Sequence, residues 1–408
     1  MPLANTTDRY GGVAKTFHWL TAFLILCAFP LGFLGANTSH QFAQASGAEQ
    51  AALLERAATI FSLHKTLGVL AFLTAALRLV WAVIQPHPGL LHGDRKAEAL
   101  LASTAHWLLY AAMLLTPLAG WLHHSATSGF APILWPFGQA LPFVPQSESL
   151  AHLFGAAHEL LQWVLLGTIV AHVAGALKHH VIDRDDTLRR MLPRRPVAAH
   201  ASARQPGHTA PALAALAILV VAFGVGAANG SFAARGVPEG EVTASAPQAG
   251  TGNWQVQEGS IGLTVVQFGQ SVGGTFGNFT ADITFDDTVS EGESGHVRVA
   301  IPIPSLTLGS VTPQALAADY FDAEAHPEAV YEGTLFTTAE GYEARGTLTL
   351  KGIEQPVDFP FDLTVEGDQA IMAASFTLHR KDFGIGAAVP GSTVAEDVEV
   401  SLNLTATR

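Results

Sequence analysis

The hydropathy pattern divides the chain into two unlike parts. Up to about residue 228, long apolar runs alternate with polar connections; beyond about residue 254, apolar residues come in short alternating runs. A continuous apolar run of about 20 residues is long enough to cross a bilayer as a helix, whereas a period of two marks a strand with one buried face. The first part predicts helices over 16–34, 60–84, 100–122 and 148–180, and a fifth apolar run at 211–228. The mostly polar stretch 35–59 is read as a connection. The stretch 123–150 holds four prolines and Trp135, and is apolar enough to lie at a membrane interface.

In the second part, Ile261-Gly262-Leu263-Thr264-Val265-Val266, His296-Val297-Arg298-Val299-Ala300-Ile301, Gly346-Thr347-Leu348-Thr349-Leu350 and Asp397-Val398-Glu399-Val400-Ser401-Leu402 read as strands. Turn residues such as Asp286-Asp287, Glu291-Gly292-Glu293 and Glu340-Gly341 separate such runs, and a short helical insert is expected at 312–318. This is the pattern of an all-β barrel or sandwich. The expected division is a membrane domain at 1–195, a linker carrying the fifth transmembrane helix at 196–250, and a barrel at 251–408. Residues 229–250 are rich in Gly, Ala, Ser and Pro, as a flexible linker is.

Charge sharpens the division. Residues 1–235 carry 15 Lys+Arg against 10 Asp+Glu, while residues 236–408 carry 6 against 24. The first half is net basic and the second strongly acidic, which argues against nucleic acid as a partner of the second. Cys27 is the single cysteine, so an intrachain disulfide and a multi-thiolate metal site are excluded. Lys and Arg gather before the first helix, in 85–97 and after the fourth helix; 35–59 has only Arg56, and 123–150 has none. The positive-inside rule then sets the N-terminus in the cytoplasm of a multi-pass inner-membrane protein, with the barrel in the periplasm. The fifth run, followed by Asn229-Gly230-Ser231-Phe232-Ala233-Ala234, also looks like a former signal peptide. Cleavage near Ala228 or Ala234 would release the barrel; retention is the reading taken.

The candidate chemistry lies in histidines. His158 and His172 are 14 residues apart on the fourth helix. That spacing returns them to nearly the same face, separated by roughly 21 Å of rise. His18, at the start of the first helix, shares the cytoplasmic depth of His172; His64, near the start of the second, shares the periplasmic depth of His158. Intramembrane imidazoles are costly and mark function. Four that pair by depth give bis-histidine sites for two haems stacked across the membrane. His106 is a competitor for the place of His18, while His152 is rotated roughly 160° off the shared face. His123-His124 and His179-His180 sit at membrane boundaries, and His87, His92, His200 and His208 lie in connections.

Residues 9–195 resemble the bacterial cytochrome b561 family of four-helix di-haem membrane proteins. The resemblance rests on Arg9-Tyr10, His18-Trp19, His64-Lys65-Thr66-Leu67-Gly68 with Arg78, and His106, Tyr110, Pro117 and Gly120. It continues through His158-Glu159, Gly167, His172, Lys178-His179-His180, Asp186-Thr187-Leu188 and Met191-Leu192-Pro193-Arg194. The resemblance implies His18, His64, His158 and His172 as ligands of two haem b groups and ubiquinone as electron partner. In the superoxide-oxidase type it also implies periplasmic superoxide as donor. A site for an anion should be cationic, and the periplasmic connections offer only Arg56.

Residues 252–405 resemble the YceI-like family of lipocalin-like periplasmic barrels that bind polyisoprenoid chains. The resemblance rests on Gly273-Gly274-Thr275-Phe276-Gly277-Asn278-Phe279, Tyr320-Phe321-Asp322, His326-Pro327, Gly346-Thr347-Leu348-Thr349-Leu350-Lys351-Gly352 and Arg380-Lys381-Asp382-Phe383-Gly384-Ile385-Gly386. An eight-stranded barrel has room for one slender apolar ligand. Phe268, Phe276, Phe279, Phe285, Phe336, Phe361 and Phe376 are candidates for its wall.

The expected function is a superoxide:ubiquinone oxidoreductase-like di-haem cytochrome whose barrel binds quinone or another membrane isoprenoid. Two alternatives stand beside it: a quinol-oxidising cytochrome serving another redox partner, and a membrane-tethered isoprenoid-binding protein.

Overall fold

The computed structural model describes residues 2–127, 131–193, 205, 207–233, 248–249, 252–309 and 311–408. Arg194-Arg195, His200, Ala234 and most of 229–250 lie outside the described residues. The described parts of 1–36, 59–126 and 132–235 form one compact unit, and those of 37–58, 127–131 and 236–408 form another.

Among the described residues, five helices are long and apolar enough to cross a membrane. They are α1 (Gly12–Phe42), α2 (Gly47–Ile84), α3 (Lys96–Ala126), α4 (Glu148–Lys178) and α5 (Thr209–Ala228). The polar stretch 35–59 is not a loop: α1 runs on to Phe42, and α2 begins at Gly47. Its residues Ala48-Glu49-Gln50-Ala51-Ala52-Leu53-Leu54-Glu55-Arg56 are good helix formers, so polarity there marks solvent contact and not a break. Ser147 caps α4 by accepting from the Leu150 N–H.

Lipid is as apolar as leucine, so the helices are held by close packing of small residues more than by hydrophobic burial. Ala75, Ala112 and Met113 pack with Leu165 in the bundle core. The hydroxyls of Thr21, Thr66 and Thr168 donate to carbonyls one turn back at 2.6–2.7 Å, so they bring no unmet donor into the span. The segment after α4 turns back onto the start of α1. Lys15 Nζ donates to Leu192 O (3.0 Å), Trp19 Nε1 to Met191 O (2.8 Å), and Arg190 to Gly89 O and Asp8 O. These contacts give the Met191-Leu192 stretch its work: they fix where α1 begins, and with it the position of His18.

The second unit is built on one curled sheet. Its strands are β1 (Gln248–Ala249), β2 (Gln255–Gln267), β3 (Gln270–Phe276), β4 (Thr280–Phe285), β5 (Gly292–Pro302) and β6 (Leu306–Thr307). After the short helix α6 (Thr312–Leu316) come β7 (Glu328–Thr338), β8 (Gly341–Leu350), β9 (Ile353–Glu366), β10 (Gln369–His379) and β11 (Val394–Thr407). The row β4-β5-β7-β8-β9-β10-β11-β2 is antiparallel throughout, and a bridge between Trp254 and Ile283 brings its two ends together. That is an eight-strand ring, the lipocalin-like barrel that the resemblance implies. Alternation is plainest in β9, where Val357, Phe359 and Phe361 are buried and Asp358, Pro360 and Asp362 are exposed.

One end of the ring is tied by Arg380. Its guanidinium is 4% exposed, and it donates to five carbonyls: Ala395, Ile385, Gly386, Val389 and Val394. Every donor of the fork is used, so the buried charge meets its hydrogen-bond needs from backbone dipoles alone. This gives the Arg380–Gly386 motif a structural role.

Candidate functional site

In the bundle, the four predicted histidines come together as two pairs. The rings of His64 and His158 have centroids 6.1 Å apart, and those of His18 and His172 are 6.2 Å apart. An iron atom with an imidazole nitrogen about 2 Å away on each side sets ring centroids roughly 6 Å apart. Both separations fit that requirement. Since α4 is continuous from Glu148 to Lys178, its two histidines lie roughly 21 Å apart along the axis.

The His64–His158 pair is also set chemically. His64 Nδ1 lies 2.9 Å from Ala28 O on α1, and His158 Nδ1 lies 2.8 Å from Thr116 O on α3. A carbonyl accepts only, so each Nδ1 carries the proton and each Nε2 keeps its lone pair for a metal. Two glycines make room for the rings. A Cβ at Gly32 would stand 3.0 Å from the His64 ring, and one at Gly120 would stand 3.0 Å from the His158 ring. Gly120 is one of the positions that carry the resemblance, and this close approach is its physical reason.

The second pair is built differently. Arg78 Nη2 lies 3.3 Å from His18 Nδ1, and Arg78 also sits over the Tyr110 ring at 5.7 Å. His106 lies beside them, with its ring 5.2 Å from His172 and its Nδ1 2.7 Å from Ala102 O on its own helix. The separation from His172 favours His18, because 5.2 Å is short for two rings on one iron. The tautomer favours His106, whose Nε2 is free, whereas an arginine that donates to His18 Nδ1 leaves the proton of neutral His18 on Nε2.

Near the first pair the structure brings up a cation that counting loop charges misses. Lys65, inside α2 and next to His64, places Nζ 3.1 Å from His124 Nδ1. His123, beside His124, binds Ala151 O at 2.7 Å. The 131–147 connection folds back here: Leu134 N donates to Thr66 Oγ1 (2.9 Å), and Trp135 packs edge-on against Trp121 at 5.2 Å. His123 and His124 are therefore packed against this end of the bundle.

The second candidate site is the barrel interior, an apolar cavity of about 280 Å³. Phe276, Phe279, Phe285, Phe361 and Phe376 line it. Phe268 and Phe336 do not. Phe268 sits at the β2–β3 turn with φ +49, and Phe336 lies under the Arg345 guanidinium at 4.8 Å. Both misplacements arise where aromatic identity was read without the in-out phase of the strand. Trp254, Tyr331 and Phe359 line the cavity as well and were missed. Phe359 stacks on Phe376 at 4.3 Å, and Tyr331 donates to Val357 O at 3.1 Å. Burial pushes the phenols of Tyr331 and Tyr320 upward, so both line the cavity as neutral groups. The cavity is suited to a hydrocarbon chain.

A family model described as prokaryotic cytochrome b561 matches residues 9–194. Cytochrome b561 homolog 2 of Escherichia coli K12 is 32% identical over 193 residues, which cover 47% of this chain and 95% of that protein. The chain belongs to the prokaryotic cytochrome b561 family. It is a multi-pass membrane protein of a haem b-binding, electron-transferring family. A second family model, the YceI-like domain, matches residues 253–406. A probable superoxide oxidase of Yersinia pestis is 27% identical over 136 residues, covering 33% of this cytochrome and 74% of that relative. Among solved structures, Burkholderia cenocepacia BcnA is 26% identical with a TM-score of 0.34, covering 36% of this chain and 96% of its own.

Substitutions separate the ligand sets. Gly120→Val drives a methyl group into the His158 ring, and the purified protein is expected to carry less haem than the wild type. Gly167→Ala, which meets nothing within 4 Å, is expected to keep it all. His18→Leu is expected to lower the haem-to-protein ratio and His106→Leu to leave it at the wild-type value. The opposite result would transfer the ligand role to His106.

Proposed function

We propose that this protein is a di-haem b cytochrome that carries electrons between a periplasmic donor and ubiquinone, with superoxide as the donor. In this reading His64 with His158 holds one haem and His18 with His172 the other. The observation that carries it is the pair of histidine separations, 6.1 and 6.2 Å, on opposite halves of one helix. Haem b, when bound, supplies reversible one-electron chemistry at each pair.

The chain's own residues do the rest. Backbone carbonyls of Ala28 and Thr116 hold the Nδ1 protons of one pair. At the other pair, haem ligation through His18 Nε2 requires the proton on Nδ1. Arg78 then no longer donates to that nitrogen and keeps its place over the Tyr110 ring. Lys65 places an amino group that can carry positive charge close to His64, where an anionic donor would arrive. In the same reading the domains are 1–195, a linker with α5 at 196–250, and a retained periplasmic barrel at 251–408 whose cavity holds a quinone or other polyisoprenoid lipid.

A quinol-oxidising cytochrome is the second reading. It is favoured by the excess of Asp and Glu in residues 236–408, 24 against 6 Lys and Arg, which repels superoxide. Haem absorbance in the purified protein, followed while superoxide is generated enzymatically, distinguishes the two. The expected result is rapid haem reduction and reoxidation on adding ubiquinone, with Lys65→Gln about tenfold slower and less sensitive to salt. Haem that ignores superoxide but is reduced by ubiquinol would establish the second reading. For the barrel, organic extraction of protein purified in mild detergent is expected to yield about one isoprenoid lipid per chain beyond background. A lipid-free protein that takes up no quinone would remove that role.

A further inference from the structure

Three metal-ligating side chains outside the haem-type pairs converge where the α2–α3 connection meets the end of α4. His92 Nε2 lies 3.0 Å from Asp185 Oδ2, and His179 Nδ1 lies 2.7 Å from the same oxygen. The two imidazole rings are parallel within 4°, with centroids 5.9 Å apart, and the three ligand atoms all lie within 4.8 Å of one another. We propose that His92, His179 and Asp185 form a binding site for one divalent transition-metal ion of the Zn²⁺ class.

The local backbone builds this grouping. After α4 the helix widens into a π turn over His179–Asp183, and Arg184 follows with φ 53. This brings Asp185 back under His179, with Asp185 N donating to His179 O at 3.1 Å. The second carboxylate oxygen, Oδ1, accepts the Thr187 N–H at 2.8 Å, which orients Oδ2 toward the two imidazoles. Such an outer contact is what fixes a ligand's direction in metal sites. The side chains of His92, His179 and Asp185 are 32%, 20% and 13% exposed, so an ion with a bound water can reach them.

The donor set selects the metal. Two imidazoles and one carboxylate suit zinc and its neighbours, whereas calcium and magnesium take oxygen ligands. Three protein ligands leave a fourth tetrahedral position for water. A neighbouring group, Glu98, Asp183 and His179, shares one histidine, but its carboxylates already face cations: Lys178 Nζ lies 2.9 Å from Glu98 and 2.8 Å from Asp183, and Arg95 lies 3.6 Å from Asp183. The less neutralised triad is therefore the site. As the ion binds, each neutral imidazole presents a lone pair at the nitrogen facing Asp185 and carries its proton on the other ring nitrogen, and the ion clamps the α2–α3 connection to the end of α4. Binding of the ion involves no redox change.

The test uses full-length, tag-free, haem-loaded protein in detergent, stripped with a chelator and titrated with zinc chloride by calorimetry. Zinc content is then measured after gel filtration. About one zinc per chain is expected, unaffected by millimolar magnesium. His92→Ala and Asp185→Asn are expected to weaken binding at least about tenfold, while wild-type haem absorbance certifies that both variants fold. Wild-type protein that leaves gel filtration without zinc, or zinc binding that both variants keep, would overturn the proposal.

Discussion

A histidine buried among helices must satisfy one ring nitrogen and aim the other, and the membrane half depends on that demand. No water is at hand in the span to take an unused N–H, so the backbone of a neighbouring helix has to do so. At His64 and His158 it does: α1 and α3 each present a carbonyl at hydrogen-bond distance. That pairing fixes the axial register of α1 against α2 and of α3 against α4. It also explains why glycine, and no larger residue, stands at 32 and 120, where the rings pass closest to the opposite backbone. Packing, tautomer and metal-binding direction are thus one constraint seen three ways.

The barrel is organised by the opposite condition. Its interior is walled by apolar side chains, and the one cation on that wall, Arg380, spends every donor on backbone carbonyls at the end of the ring. The lumen therefore presents hydrocarbon surface without an unmet charge. A lipid chain gains from such a cavity by leaving water, at about 0.8 kcal/mol for each buried CH₂ group.

Much of this is legible in the sequence. Apolar runs gave the five helices because length and hydropathy suffice to define a span. The histidine pairs followed from helical periodicity, which survives in a straight helix such as α4. Errors arose where sequence signals compete. The 35–59 stretch is polar and yet helical, since solvent-facing helix and loop share a composition. Lys65 was passed over because it lies within a helix, although it is the cation nearest His64 in sequence and meets His124 in space. Phe268 and Phe336 were placed in the lumen by residue type, whereas a turn and an outward phase put them elsewhere. The three-way meeting of His92, His179 and Asp185 depends on a π turn and a left-handed residue, and no periodicity announces either.

The central claim is that each end of α4 shares an iron with a histidine from another helix. Low-temperature electron paramagnetic resonance of the oxidised, full-length protein, read with its haem-to-protein ratio, tests it most directly. The account predicts two haems per chain and two distinct low-spin ferric signals, as two imidazole ligands on each iron require. A single haem per chain, or a dominant high-spin signal from an iron lacking its second imidazole, would contradict it.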